Sequence, residues 1–451
     1  MPRPSACPGL LRIVPALDGG ICRVKLAGGA LGASQADAIA DAIDAHASSV
    51  VDVTNRANLQ LRGVKPGRED ALITALLAAG LGPQAHAHAL ADDVRNVMIS
   101  PAAGRDAHAL FDTAGLAAEL LALLQGDARF AALSAKFALL LDGGERLMML
   151  DHPHDIWFSA LRHPAHDNVL VGFGLAGCPP VDARHAGALA AVAPEHIVPL
   201  TQALVHTFLD LAQPGHTRMR DVLATHAAES VLAQAARKAS VRLLRDAYVA
   251  NWRREPADAS RRLGAHAQRD ATRLHLGGQP ALGRMRSATL RGLANIVRNN
   301  EGATLRMTPW QGVLLTDIEP ANVDATLHAL AALGLATTTR DPLTRVIACA
   351  GSTGCAKSLA DVKADAATLA PHVPGRTQVH LSGCARSCAA AHRAPYTLLA
   401  VGGERYDLYR TQDPRDPAGF GRPVARGLTI DEAATALNAS APPSFDEPFD
   451  A

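Results

Sequence analysis

Apolar and polar positions follow the same pattern at two places in the chain. In each place, an extended segment of alternating residues leads through a proline-containing turn into an amphipathic helix that stops at glycine. The two stretches, residues 54–81 and 308–335, align without a gap. The coinciding residues include Thr54 with Thr308, Pro66 with Pro320 and Gly80 with Gly334. Chance matches among Ala and Leu are common, so the paired prolines and glycines carry the prediction of an internal duplication.

The segment between the copies, residues 213–280, has a different pattern. From Asp221 to about Trp252 the spacing is helical with basic residues on the polar face, whereas the later part has little apolar periodicity. We expect a connector made of a helix and an exposed loop. The basic run is either a docking patch for an acidic partner protein or a solvated helix face, and solvated faces are the commoner case.

Composition limits the classes of protein to which the chain can belong. Its 451 residues are enough for about three domains, with 48% hydrophobic and 4% aromatic residues. No run of 18 or more apolar residues predicts a membrane span, and the net charge of +1 gives no electrostatic case for nucleic acid. An anionic ligand must therefore be held by local arginine and lysine side chains. The opening residues lack the charged and apolar regions of a secretion signal, so we expect a cytoplasmic protein.

Four of the seven cysteines form two groups with C-x5-C and C-x3-C spacing. They are Cys349, Cys355, Cys384 and Cys388. Together they supply four thiolates, enough for one iron–sulfur cluster. The spacings do not fit the paired C-x2-4-C knuckles of structural zinc, and a reducing cytoplasm disfavours disulfides. The remaining cysteines, Cys7, Cys22 and Cys178, are expected to behave as small buried hydrophobic residues.

The repeat places an arginine opposite one of these cysteines. When the register of the two copies is continued, Arg95 falls opposite Cys349. This correspondence predicts two related halves, one binding an anionic group through arginine and the other binding the metal cluster. A chance coincidence in an imperfect alignment is the alternative.

Several stretches resemble the nitrite and sulfite reductase superfamily. They are the four cysteines, TNRANLQLRG, RNVMISPAAG, LSAKFALLLDGG and LRMTPWQGVLL. The resemblance implies an α+β fold of pseudo-twofold duplicated architecture, with two ferredoxin-like modules and two larger α+β modules around a sirohaem coupled to a 4Fe-4S cluster. It also implies that Cys388 bridges to the haem iron if a haem is bound.

The resemblance and the composition together predict six segments. They are a first ferredoxin-like module (1–82), a first larger α+β module (83–212), the basic helical connector (213–280), a second ferredoxin-like module (281–340), a second α+β module with the cluster cysteines (341–440) and a tail (441–451).

Within the superfamily, three further stretches resemble the precorrin-3B synthases of aerobic cobalamin biosynthesis. They are CPGLLRIVPALDGGICRVKL, VHLSGCARSCA and GGERYDLYR. Two departures separate the chain from the reductase pattern: Ala138 replaces a second lysine, and Lys25 replaces an arginine. In the reductases these basic side chains hold and protonate a small sulfur oxyanion. A ferredoxin-dependent sulfite or nitrite reductase with sirohaem is the alternative enzyme, and a non-catalytic iron–sulfur or tetrapyrrole-binding protein is the alternative class.

The implied substrate, precorrin-3A, is a tetrapyrrole with several carboxylate arms, and arginine pairs well with carboxylates. The candidate binding residues are Arg23, Lys25, Arg56, Asn58, Gln60, Arg62, Arg95, Lys136 and Arg306. Four of these alternate along a predicted strand, from Arg56 to Arg62, and are expected to share one face. Trp310 occupies a family motif, where it either packs in the core or stacks on substrate.

The implied reaction is hydroxylation by O2 with lactone formation. Electrons would come from reduced nicotinamide, by way of a donor protein, because no G-x-G-x-x-G segment in the chain suggests a nicotinamide site. A cluster with four cysteine ligands has no vacant position for O2, so either a haem-type iron or a separate non-haem iron is needed. His152, His154 and Asp155 are the ligand types of a non-haem iron site, although adjacent strand residues point to opposite faces.

Overall fold

The computed structural model describes residues 7–85, 87–88, 90–375, 377–412 and 419–440. The chain forms two compact units, one from residues 1–15 and 19–335 and the other from residues 16–18 and 336–451. Among the described residues, no helix combines the length and the apolar character needed to cross a lipid bilayer.

The first unit begins with a ferredoxin-like sheet. Its elements are β1 (Val14–Ala16), β2 (Gly19–Val24), β3 (Ala30–Leu31), α1 (Ala33–His46), β4 (Val50–Val53), β5 (Leu59–Val64) and α2 (Glu69–Ala78). Strands β1, β2, β5 and β4 lie side by side, but β3 leaves this sheet. Alternating burial along β2 and β4 places one face of the sheet against α1 and α2, as a period of two residues requires.

A larger mixed sheet follows in the same unit. Its elements are α3 (Ala91–Val94), β6 (Val97–Met98), α4 (Ala114–Gly126), β7 (Leu139–Asp142), β8 (His154–Leu161), β9 (Leu170–Gly177), β10 (Ala190–Val192) and α5 (Ile197–Leu211). The strand order is β10-β9-β8-β7-β6, with parallel pairs at the β6 end and antiparallel pairs at the β10 end. Both faces of β7 and β8 are buried, which explains their nearly continuous apolar sequence.

The segment after α5 packs on this larger sheet. It contains α6 (Met219–Leu223), α7 (Ala228–Ala239) and α8 (Ala247–Asn251). Val222, Val231 and Leu232 are buried in the core that also contains residues of β8, β9 and α5. The apolar side of the predicted basic helix is therefore covered, and its basic residues occupy the other side.

The second ferredoxin-like sheet completes the first unit. Its elements are β11 (Gly264–Ala267), β12 (Leu274–Pro280), β13 (Arg284–Arg286), α9 (Ser287–Arg298), β14 (Thr304–Met307), β15 (Val313–Ile318), α10 (Val323–Ala332) and β16 (Leu335–Ala336). The strand order is β11-β12-β15-β14-β3, and β16 pairs with β12. Strands β11 and β12, in the part of the sequence assigned to the connector, thus belong to this sheet.

The two ferredoxin-like sheets exchange a strand. Strand β3 pairs with β14 of the second sheet, and β13 pairs with β4 of the first. Helices α1 and α9 pack together in a core shared by both sheets. Gly29 immediately precedes β3 at φ +76°, and a Cβ there would lie 2.2 Å from the Met307 carbonyl oxygen. Only glycine fits both the backbone angle and this close approach.

Backbone angles confirm the duplication. Residues with positive φ recur at a constant separation of 254 positions in the two halves of the first unit. The pairs are Gly28 with Leu282, Gly29 with Gly283, Ala57 with Gln311, Gly63 with Asp317 and Gly80 with Gly334. Because unfavourable angles in non-glycine residues persist only where the surrounding structure requires them, their recurrence shows that the two modules have the same backbone design.

The second unit repeats the larger sheet. Its elements are β17 (Val346–Ala348), α11 (Val362–Leu369), β18 (Val379–Ser382), β19 (Tyr396–Gly402), β20 (Arg405–Arg410), β21 (Arg422–Leu428) and α12 (Ile430–Ser440). The first two strand pairs are parallel and the last two are antiparallel, as in the sheet from β6 to β10. The expected α+β fold with duplicated modules is therefore confirmed.

Candidate functional site

A small, partly open cavity of about 20 Å³ lies in the first unit, between the first ferredoxin-like sheet and the larger sheet. Its lining consists of Leu26, Arg56, Asn58, Arg95, Asn96, Val97, Met98, Ala138, Leu139 and His154. Three of the predicted tetrapyrrole-binding residues, Arg56, Asn58 and Arg95, are among them. The other six predicted residues are elsewhere in the unit.

Arg56 lines this cavity and, within the described part of the chain, its guanidinium has no bonded partner. It lies in the turn between β4 and β5, where the Thr54 hydroxyl accepts hydrogen bonds from the backbone N–H groups of Arg56 (3.3 Å) and Asn58 (3.1 Å). Among the described residues, no hydrogen bond or ion pair engages its guanidinium. Burial, followed by the charges of Arg218 and Arg23, lowers the pKa of Arg56 to about 10. A half-buried cation in this condition favours an anionic ligand.

Arg95, in contrast, is tied to the backbone. Its guanidinium donates to the carbonyl oxygens of Gly82, Lys25 (2.6 Å) and Leu81 (3.1 Å). Burial lowers its pKa, and the Asp92 carboxylate, 3.9 Å away, acts in the opposite direction. Arg95 therefore holds the segment after α2 against β2, and these bonds use much of its donor capacity.

The candidate residues in and beside β2 are also engaged within the protein. The Lys25 ammonium donates to the Asp93 carbonyl oxygen at 2.6 Å, and burial lowers the pKa of Lys25 to about 7. Arg23 donates to the Gln60 side-chain oxygen at 2.8 Å, across the β2–β5 pairing. Asn58 accepts a hydrogen bond from the Leu26 backbone N–H at 2.9 Å, which fixes its side chain at the cavity wall.

The strand predicted to carry four polar side chains on one face begins later than expected. Strand β5 starts at Leu59, so Arg56 and Asn58 lie in the preceding turn and Gln60 and Arg62 lie on the strand. Arg62 is buried, with its Nε 3.8 Å from an Asp52 carboxylate oxygen. The expectation of one shared face is wrong, because the positive φ of Ala57 interrupts the alternation.

Lys136, Arg306 and Trp310 do not line the cavity. Lys136 is exposed in the turn before β7. Arg306 is buried on β14, and burial, followed by the charge of Arg105, lowers its pKa. Trp310 is half-buried and packs against the clusters that contain Met148 and Leu147.

The proposed non-haem iron site does not form in this structure. Both Asp155 carboxylate oxygens are engaged, accepting from the Ala138 N–H (2.9 Å), the Met219 N–H (2.8 Å) and the Arg218 Nε (3.0 Å). Within the described ranges, no group of three or more His, Cys, Asp or Glu side chains is placed to hold one metal ion. His154 instead lines the cavity, which sequence reasoning missed because it grouped this residue with its chain neighbours.

The four paired cysteines lie in two loops of the second unit, after β17 and after β18. Among the described residues, no disulfide bond joins any of the four. The Gly383 backbone N–H donates to the Cys349 Sγ at 3.4 Å, and the Leu359 N–H donates to the Gly383 carbonyl oxygen at 2.9 Å. A Cβ on Gly383 would lie 1.8 Å from the Ser358 Oγ, so this close approach requires glycine.

These residues fit a 4Fe-4S cluster. Four soft thiolate donors are present in two loops, and a backbone N–H already points at one sulfur, the type of bond that tunes cluster potentials. The four corners of a cluster are farther apart than the ligands of one metal ion, so a site of this kind differs from the single-ion sites considered above. Cys349, Cys355, Cys384 and Cys388 would hold the cluster.

Strand pairing corrects the proposed correspondence of Arg95 and Cys349. Val97 pairs with Leu139 in the first unit as Val346 pairs with Val379 in the second. Val346 lies 249 positions after Val97, so the counterpart of Cys349 lies at the end of β6, close to Ser100, and is not Arg95. Cys355 then corresponds to a position close to Asp106. Because Val379 lies 240 positions after Leu139, Cys384 and Cys388 correspond to positions close to Gly144 and Met148.

Hydrogen bonds join the corresponding loops in the first unit. The Ser100 hydroxyl donates to the Leu147 carbonyl oxygen at 2.6 Å, and Asp106 accepts from the Arg146 backbone N–H at 2.8 Å. The loops of the first unit that correspond to the cysteine-bearing loops are thus joined directly by hydrogen bonds.

Two family models match the first unit. A model described as the nitrite/sulfite reductase ferredoxin-like half domain matches residues 15–79 and 266–333. A model described as the nitrite and sulphite reductase 4Fe-4S domain matches residues 90–243. The cysteines of the second unit lie outside both matches.

Several relatives match most of the chain. It is 28% identical over 406 residues to a ferredoxin–nitrite reductase of Synechococcus elongatus, covering 84% of this chain and 76% of that protein. It is 26% identical over 404 residues to a precorrin-3B synthase of a Sinorhizobium species, covering 88% and 81%. The structure of Mycobacterium tuberculosis NirA superposes with a TM-score of 0.75 at 20% identity, covering 92% and 79%, and supports the fold alone.

Proposed function

The chain carries the domains of the nitrite and sulphite reductase superfamily, and from this premise we propose that it is an O2-dependent enzyme that hydroxylates precorrin-3A to precorrin-3B. Oxidoreductase chemistry is common to the relatives that it matches. The cysteines of the second unit fit the cluster that such chemistry uses. When bound, the cluster would supply electrons one at a time.

The state of the cationic positions carries the proposal. By resemblance, a reductase uses basic side chains at positions 25 and 138 to hold a small oxyanion. Here Lys25 is bonded to the Asp93 carbonyl oxygen, and position 138 is an alanine that lines the cavity. This loss of available positive charge disfavours a small, highly charged oxyanion and leaves Arg56 to bind a singly charged group.

Length gives independent support. The aligned region covers 81% of the precorrin-3B synthase but 67% of the chloroplastic nitrite reductase of Zea mays. A smaller part of the synthase than of the Zea mays reductase therefore lacks a counterpart in this chain.

The proposed reaction consumes one O2, two electrons and two protons for each substrate molecule. One oxygen atom enters the meso carbon between rings A and D as a hydroxyl group, and the other leaves as water. The ring A acetate then closes a lactone. The role of the protein's own residues is to bind the carboxylate arms, with Arg56 and Asn58 at the cavity and the other candidate cations around it.

We further propose a separate electron-donor protein, ultimately supplied by reduced nicotinamide. Support comes from the ferredoxin-dependent relatives. Sirohaem, which the superfamily implies, or another iron beyond the cluster would provide the open coordination position for O2.

Anaerobically purified protein tests the proposal. We expect a broad cluster absorption that is lost in Cys384→Ser, and O2-dependent conversion of precorrin-3A with incorporation of one labelled oxygen atom. A Cys178→Ser variant serves as the control and should retain the cluster, because Cys178 lies outside the paired loops.

A ferredoxin-dependent nitrite or sulfite reductase is the second candidate, and the 28% identity to the Synechococcus enzyme favours it. Reduction of nitrite or sulfite with reduced methyl viologen, together with no oxygen incorporation into precorrin-3A, would establish this candidate and reject the hydroxylase.

A further inference from the structure

Strands β17 and β18 lead into the two cysteine-bearing loops, and their pairing continues for one bond beyond the strands. The Cys349 N–H donates to the Leu381 carbonyl oxygen at 3.4 Å. In a regular parallel pair, the next donor would be the Gly383 N–H, bonded to the Cys349 carbonyl oxygen. It donates instead to the Cys349 Sγ at 3.4 Å. The end of the ladder therefore supplies a donor to one of the four thiols.

Gly383 is held on its other side by the residues that follow Cys355. The Leu359 N–H donates to the Gly383 carbonyl oxygen at 2.9 Å. Ser358 lies against the same glycine, since a Cβ on Gly383 would be 1.8 Å from the Ser358 Oγ and 2.8 Å from its Cβ. The Ser358 hydroxyl is itself fixed, because it donates to the Ala360 carbonyl oxygen at 2.9 Å. Two consecutive residues thus set the orientation of Gly383.

Space, rather than backbone angle, requires glycine at position 383. Gly383 is not among the described residues with positive φ, so an alanine there would not meet that conformational cost. Its methyl group would instead overlap the Ser358 side chain, and the bonded segment would have to shift. The contact between Ser358 and Gly383 therefore controls where the Gly383 N–H points.

A hydrogen bond to a cluster ligand acts on the reduction potential of the cluster. Reduction adds one negative charge, so a donor N–H at a ligand sulfur stabilises the reduced form more than the oxidised form. A change that turns the N–H away from the sulfur should therefore lower the potential.

We propose that Ser358 is a positioning residue that aims the Gly383 N–H at the Cys349 sulfur and thereby raises the reduction potential of the cluster. This inference rests on the cluster that the proposed function assigns to the four cysteines. The Ser358 hydroxyl is bonded to a backbone carbonyl oxygen, so its effect on the cluster passes through the Gly383 backbone.

An anaerobic redox titration of the full-length holoprotein, followed by electron paramagnetic resonance, tests the contact. Gly383→Ala should lower the midpoint potential. At the wild-type midpoint, the ratio of reduced to oxidised cluster should fall about tenfold, the effect of one hydrogen bond to a charged group. Ser358→Gly should also lower the potential. The double variant Gly383→Ala/Ser358→Gly should lie closer to the wild type than either single variant, because the new methyl group fills the space of the removed side chain.

Gly402→Ala is the matched control. A Cβ on Gly402 would meet no atom within 4 Å, so this variant should keep the wild-type potential. Wild-type potentials in both single variants, or additive shifts in the double variant, would overturn the inference. If Gly383→Ala assembles no cluster, recovery of the cluster in the double variant supports the contact, and continued loss rejects it.

Conversion of precorrin-3A plays no part in this measurement, so the proposed reaction can fail while the inference stands. A wild-type protein without iron and without cluster absorption would overturn both the cluster assignment and this inference.

Discussion

At the residue scale, burial decides which of the basic side chains can meet a ligand. The chain presents many cations around the cavity, yet the backbone carbonyls of the protein engage Lys25 and Arg95. Arg56 differs because the Thr54 turn holds its backbone while its guanidinium stays unbonded among the described residues. A half-buried cation without a bonded partner among the described residues favours an anionic ligand, so Arg56 is the candidate cation best placed to bind one.

Lys25 gives a pH-dependent prediction at this scale. Its folded-state pKa is about 7 against an ordinary value of 10.5, with burial as the largest cause. Between these values the unfolded chain binds a proton that the folded protein does not, so this lysine makes the free energy of unfolding rise with pH. The contribution approaches about 1.4 kcal/mol per pH unit within that window.

Denaturant unfolding at several pH values checks this. Between pH 7 and 10.5, the free energy of unfolding of Lys25→Met should rise less steeply with pH than that of the wild type. Lys65→Met, at an exposed lysine, should follow the wild type. Parallel curves for Lys25→Met and wild type would contradict the prediction.

At the element scale, the strand exchange explains how the two ferredoxin-like sheets form one core. Strands β3 and β13 each leave their own module, and the turns before them require positive φ at Gly29 and Gly283. Helices α1 and α9 then pack together beneath both sheets. The exchange makes each module incomplete without the other, because each sheet takes an edge strand from its partner.

Gly29→Ala tests the exchange. We expect it to lower the free energy of unfolding of the first unit by about 2–5 kcal/mol, because a methyl group adds overlap with the Met307 carbonyl to the strain of positive φ. Gly67 has nearly the same angle, φ +75°, but open space around it, so Gly67→Ala should cost only about 1 kcal/mol. If denaturant unfolding shows equal losses of stability for Gly29→Ala and Gly67→Ala, the contact with the Met307 carbonyl does not contribute.

At the scale of the whole molecule, two pairs of equivalent loops are joined in different ways. One pair follows β6 and β7 in the first unit, and the other follows β17 and β18 in the second. In the first unit, Ser100 and Asp106 join them by hydrogen bonds. In the second, the equivalent loops carry cysteines, and the cluster that fits them would supply much of the connection.

Iron removal should therefore affect the two units unequally. After anaerobic chelation, we expect faster hydrogen exchange in the backbone amides of residues 349–361 and 383–392 and no change in residues 100–113 and 143–148. Mass spectrometry of peptides from the same sample gives both readings. Equal changes in the two sets would show that the cluster does not join the loops of the second unit.

The sequence by itself determined the duplication and the cysteine set, because periodicity, turn residues and cysteine spacing are local properties. The α+β class followed from the resemblance of several stretches to a known superfamily. Tertiary structure decided which residues of the two halves correspond after the aligned stretches that end near Gly80 and Gly334. The connection from Gly80 to β6 is five residues longer than that from Gly334 to β17, so the counterpart of Cys349 lies close to Ser100 rather than at Arg95. Tertiary structure also paired Asp155 with Arg218 and left the Arg56 guanidinium without a bonded partner among the described residues. Burial and bonding depend on residues distant in the chain, and no local pattern records them.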